Sequence, residues 1–133
     1  RYLRGDESAL SDDAKRGMEI VVQVGCVACH NGPMLSTGTL MPFTHGEDLG
    51  LATVTGEESD EYFFRVATWR NVSLTAPYFH DGSAETLEDA VRIMGSVQLN
   101  RELTDEEVFY ILAFLESLVG DQPEVTIPVL PAG

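Results

Sequence analysis

Residues 25–32 read GCVACHNG and contain the only two cysteines of the chain, Cys26 and Cys29, with His30 directly behind. Two thiols and an imidazole within five residues restrict the fold, because whatever they hold must sit at one short turn. Four chemistries use such residues. A disulfide between Cys26 and Cys29 suits an exported protein. A thioredoxin-like redox pair needs a strand–helix context, and here the motif follows the end of a helical stretch. A zinc site needs one or two further ligands, and only His45 and His80 remain among the histidines. The fourth is covalent haem attachment: both thiols add to the haem vinyl groups, and the next residue reaches the iron from the same side. C-x-x-C-H is the spacing that permits this.

The surroundings favour haem. The stretch SDDAKRGMEIVVQVG reads as a helix, with Ser11 as N-cap, Asp12 and Asp13 at its positive start and Gly25 at its end. Ala14, Met18, Val21 and Val22 form its expected core face. TLEDAVRIMG reads as a second helix, capped by Thr86, with Asp89 in its first turn and Gly95 as terminator. TDEEVFYILAFLESLVG reads as a third, with a Thr104–Glu107 capping box, a stripe of Val108, Ile111, Leu112, Leu115 and Leu118, and a stop at Gly120. The long span from His30 to Thr86 is rich in Gly, Thr, Pro and Ser. A loop region of that length needs something to wrap. Within it, YFFRVATW fits a short strand or a helix. The expected fold is all-α, of the class I cytochrome c type, with first and last helices crossing around one covalent haem. Residues 1–10 read as a linker, 11–120 as the haem domain, and 121–133 as an extended tail containing prolines.

Length and charge narrow the partners. At 133 residues and 44% hydrophobic composition, the chain suits one domain with a modest core. Its 22 acidic against 8 basic residues give a formal charge of −14. That argues against nucleic acid and anionic membranes, and agrees with a solvated acidic surface or a basic protein partner. No apolar run approaches the ~20 residues of a membrane span. The start at Arg1, in RYLRGD, leads us to expect that upstream residues have been removed.

A His-ligated haem iron needs a sixth ligand or an open position. Met18 belongs to the core face of the first helix. Met34 is too close to His30 to cross to the far side of the ring. Met94 has ample intervening chain to pass the haem edge and lies at an expected helix end, and Met41 is the fallback. His/Met ligation raises the reduction potential relative to His/His and fills both axial positions, which favours electron transfer. Arg65 and Arg70 are the candidate partners of the haem propionates, since arginine binds a carboxylate through two parallel bonds. Surface salt bridges are their ordinary alternative role. Trp69 and Tyr78 are candidates for the haem pocket, with core packing as the alternative.

From SDEYFFRV onward the chain resembles the C-terminal haem domain of bacterial di-haem cytochrome c peroxidases, a group that includes MauG-like proteins. The resemblance rests on RNVSLTAPYFHDG and on MGSVQL, and covers nearly the whole chain. One departure is Trp69, where Leu is usual. The resemblance implies a high-potential, electron-accepting haem with Met94 as sixth ligand. It also implies a calcium ion held partly by the backbone carbonyls of Thr75 and Pro77, next to a second haem domain. Peroxidase activity in the family belongs to that other haem, and this sequence has one C-x-x-C-H. A turn-stabilising hydrogen bond is the expected role of His80.

The leading expectation is an electron-transfer domain. It has a small cytochrome or cupredoxin as donor, and a second haem domain as acceptor where one is joined to it. The alternative is a mono-haem peroxidase in which Met94 leaves the iron, with His45 and Glu47 as the nearby polar groups. Covalent haem attachment is completed outside the cytoplasm, so a periplasmic or otherwise extracytoplasmic location is expected.

Overall fold

A computed structural model describes residues 1–121, 124 and 125. Four α-helices, several single 3-10 turns and one two-stranded sheet make up the described chain. Helix α1 spans Asp12–Gln23. The Ser11 hydroxyl accepts from the Ala14 amide, Asp12 and Asp13 lie in the first turn, and Gly25 follows the end with φ 99°. Helix α4 spans Asp105–Glu116 and starts on the expected reciprocal Thr104–Glu107 capping box. The two helices cross and form the main core, in which Ile20 and Val21 meet Val108, Ile111, Phe114 and Leu115. Gly17 lies at the crossing. A Cβ built there would fall 1.9 Å from the Tyr110 carbonyl oxygen, so only glycine permits this approach.

The expected core faces need correction. Val22 is 57% exposed, and its place is taken by Ile20 and Gly17. On α4 Leu112 is half-buried, whereas Phe114 is buried, which widens the stripe by one residue. The helix ends at Glu116 with Ser117 as C-cap, short of Gly120, and Leu118 folds back into the core.

Helix α3 spans Leu87–Leu99, beginning at Thr86, whose hydroxyl accepts from the Asp89 amide. Gly95 does not terminate it. The glycine is buried, and a Cβ on it would sit 2.8 Å from Leu103 Cγ. The helix runs on to Asn100, which adopts φ 48° and stops it with a left-handed cap.

Between α1 and α3 the chain holds a small sheet. Strand β1 (Leu40–Pro42) pairs antiparallel with β2 (Phe63–Arg65), Met41 opposite Phe64. The stretch YFFRVATW therefore contains a strand. Helix α2 is a single turn, Ala52–Thr55. A smaller cluster of Tyr78, Ala84 and Ala90 packs under α3. Residues 1–10 form two 3-10 turns, Tyr2–Arg4 and Glu7–Ala9. Most of the tail expected to run extended lies outside the described residues. No helix among them is long and apolar enough to cross a membrane.

Candidate functional site

Cys26 and Cys29 sit on the 3-10 turn Cys26–Ala28 and its cap, immediately beyond α1. Both are free and half-buried. Burial raises the Cys26 thiol above its ordinary value and keeps it protonated, against smaller opposing effects that include the Arg101 charge. Among the described residues no group of three His, Cys, Asp or Glu converges, so a zinc reading finds no ligand set.

His30 is half-buried, and burial holds its imidazole below the usual histidine range, partly offset by the carbonyls of Leu35 and Ala67. Its Nδ1 lies 3.3 Å from the Leu35 carbonyl oxygen. A neutral tautomer that donates this bond carries its proton on Nδ1 and its lone pair on Nε2. That is the form in which histidine binds metals, with the second nitrogen oriented by a carbonyl. One face of the ring stacks on Trp69, at 4.4 Å between centroids and 13° between planes. Trp69 in turn meets the buried Phe114 edge-on at 6.3 Å.

The segment that carries Trp69 is tied to the segment after His30. Ser36 Oγ donates to the Val66 carbonyl (2.7 Å), Thr68 Oγ1 to the Met34 carbonyl (2.5 Å), and the Arg70 guanidinium to the Pro33 carbonyl (3.0 and 3.2 Å). Leu35 has φ 51°, a left-handed conformation unfavourable for a branched residue. This local cost places the Leu35 carbonyl beside His30.

Met94 is half-buried in the middle of α3, not at a helix end. The C-terminal half of this helix approaches the cysteine turn, since a Cβ on Gly25 would lie 3.9 Å from Leu99 Cδ2. Gln98, one turn beyond Met94 on the same face, donates to the Pro42 carbonyl at 2.6 Å and joins α3 to β1. Met34 is 55% and Met41 36% exposed, while Met18 packs against the main core.

The other expected residues are more scattered. Arg65 donates to the Gly38 carbonyl at 2.9 Å. Among the described residues neither it nor Arg70 forms an ion pair, so the surface salt bridge does not describe them. Tyr78 lies in the smaller cluster, bridged to Ala84, away from the Trp69 contact. Thr75 and Pro77 are both exposed, and Pro77 is joined to Ala76 by a cis peptide bond. His80 reaches beyond its own turn, with Nδ1 2.6 Å from Asp48 Oδ2. The Gly50 amide and this imidazole hold the Asp48 carboxyl below the ordinary value. His45 packs beside Phe43 and Phe79, and Glu47 is exposed. The His30–Trp69 stack is absent from the sequence reading. The sequence singles out Trp69 as a candidate for the haem pocket but holds no signal that pairs it with His30.

Two free thiols, a half-buried imidazole with Nδ1 against a carbonyl and a half-buried thioether on the helix that approaches them fit a covalently held haem. Comparisons with known proteins agree. No protein-family model matches the chain. The cytochrome c551 peroxidases of Nitrosomonas europaea and Pseudomonas aeruginosa are each 46% identical to it, over 98% of this chain and 41% of their own length. The cytochrome c peroxidase Ccp of Escherichia coli is 42% identical over 90% of this chain and 28% of its own. A crystal structure of a MauG-like protein associated with microbial copper homeostasis superposes with a TM-score of 0.71 at 26% identity, over 87% of this chain and 49% of that one. The chain thus spans about two-fifths of the length of these two cytochrome c551 peroxidases. The fold is the all-α, cytochrome c-like one expected from the sequence. Nearly every residue of the chain thus aligns with one region of bacterial cytochrome c peroxidases and MauG-like proteins, which is consistent with a haem domain of that family and implies c-type haem.

Proposed function

We propose that the chain is the electron-accepting haem domain of such a protein, holding one haem through Cys26 and Cys29 with His30 and Met94 as axial ligands. The observation that carries this reading is the placement of the His30 ring: half-buried, with Nδ1 against the Leu35 carbonyl, one residue from a free thiol. When bound, the haem supplies one-electron chemistry between ferric and ferrous iron. The protein's part is to tether and orient it. The thiols fix it covalently, the Leu35 carbonyl sets the His30 tautomer, and the thioether of Met94 favours the reduced state over a second nitrogen ligand. With His30 and Met94 both bound to it, the iron would offer no position to a substrate. Arg65 and Arg70, with guanidinium N–H groups beyond those given to backbone carbonyls, are the proposed donors to the propionates. Thr75 and Pro77 are the proposed carbonyl ligands of a calcium ion at the border with a second domain.

Electrons would come from a small cytochrome or cupredoxin and pass to a second haem domain, in an extracytoplasmic compartment where covalent attachment is completed. Expression with haem maturation, followed by intact mass and a pyridine haemochrome assay, tests the stoichiometry. The expected result is one haem per chain and a ferric iron–thioether charge-transfer band, which Met94→Ala abolishes. Peroxide turnover by the isolated chain, with Met94 displaced, would instead establish the mono-haem peroxidase.

A further inference from the structure

The Ala67 carbonyl, in the segment that carries Trp69, also acts on the His30 ring, but the hydrogen bond that orients Nδ1 is weak. At 3.3 Å it lies beyond the usual N–H···O range. Rotation about the final side-chain bond of histidine is also broad, without sharp staggered wells. A long bond at one edge resists rocking of the ring about the Nδ1–carbonyl line only weakly. A second constraint on the face of the ring is what stops that motion, and Trp69 supplies it at 4.4 Å and 13°.

Trp69 is itself well held. Its ring packs against the main core and meets Phe114, which is 5% exposed, nearly at a right angle. Its backbone is fastened beside the chain that follows His30. The Thr68 hydroxyl bonds Met34, the Arg70 guanidinium bonds Pro33, and the Arg70 amide donates to Thr68 Oγ1 at 3.0 Å. These ties place the indole and the Leu35 carbonyl in one frame. The imidazole is thus gripped at an edge and across a face by two segments that move together.

Resting on the haem reading above, we propose that Trp69 is a positioning residue for His30: its stacked indole fixes the plane in which the imidazole meets the iron. It acts through the ligand and does not touch the iron. Ligand-plane orientation sets how unpaired spin is distributed over the four haem methyl groups in the ferric state. That distribution is a signature which simple loss of packing does not move.

The test uses the haem-loaded protein. In the diamagnetic ferrous form, indole-to-imidazole nuclear Overhauser effects are expected between Trp69 and His30. In the ferric form, Trp69→Leu is expected to change the order or spread of the four haem-methyl proton shifts. Trp69→Phe, which keeps a ring against the imidazole, should bring them back toward the native pattern. Both variants are expected to keep covalent haem. An unchanged methyl pattern in Trp69→Leu overturns the proposal, as does the absence of the indole–imidazole effect in the native protein. The latter decides the matter even if the leucine variant fails to fold. A native protein without covalent haem fails the underlying reading as well. Covalent haem with His30 bound and an indifferent Trp69 fails this proposal alone.

Discussion

Gly17→Ala is the sharpest test of the helix crossing. In an isolated helix this change is stabilising by about 1 kcal/mol, because alanine loses less backbone freedom. Here the new Cβ would fall 1.9 Å from the Tyr110 carbonyl oxygen, 2.7 Å from its carbon and 2.8 Å from Phe114 Cβ. A non-bonded carbon sits about 3.3 Å from an oxygen at closest comfortable approach. The helices must therefore separate by roughly 1.4 Å at this point, taking the 1.9 Å contact against that limit. The obstruction is helix backbone, which has no alternative rotamer. The cost then falls at the upper end of the overpacking range, about 3 kcal/mol. Subtracting the propensity gain leaves a net loss of about 2 kcal/mol. For a domain of this size that lowers the melting temperature by about 8 °C. Circular dichroism melts and urea titrations of the haem-loaded native and Gly17→Ala proteins measure it. A variant as stable as the native protein would refute the close approach of α1 and α4, and with it the account of why glycine stands there.

Thr104→Ala removes the hydroxyl that receives the Glu107 amide and should cost about 1 kcal/mol in urea unfolding. Gln98→Ala deletes the 2.6 Å bond to Pro42 and should cost about 1 kcal/mol, with faster amide exchange confined to β1 and the end of α3. The Asp48 carboxyl is held low first by the Gly50 amide and then by His80. A depressed carboxyl stabilises above its unfolded value and loses that contribution as pH falls through its folded value. The native protein should therefore melt above Asp48→Asn at pH 6, and the gap should close on acidification below about pH 4. A gap that persists at pH 2 would contradict this.

Local signals were legible wherever one residue type performs one local task. Ser11, Thr86 and Thr104 each cap the helix that follows, because a hydroxyl facing a free amide needs no tertiary information. The Cys26–Cys29–His30 stretch is local in the same way: its three side chains fall within five residues, on one 3-10 turn and the two residues after it. Gly95 was misread because glycine after a helical run usually marks an end. The packing of Leu103 against it, which keeps the helix going, comes from beyond the window. Val22 and Ile20 are equally apolar and two positions apart, and only the path of α4 decides which one is covered. The placement of Trp69 on His30 depends on hydrogen bonds between residues 33–36 and 66–70, a pairing without periodicity or motif to announce it.

Those same hydrogen bonds bear on how such a domain tolerates change. They tie both ends of the chain between residues 36 and 66, and the β1–β2 pairing closes it again just inside. A loop whose ends are already fastened pays little for growing, about 0.6 kcal/mol for each doubling of its length. Its turn at Glu58–Asp60 buries no residue. Added residues at that turn would leave the His30 frame unmoved, so the loop can diversify in length and contacts while the ligand geometry is preserved.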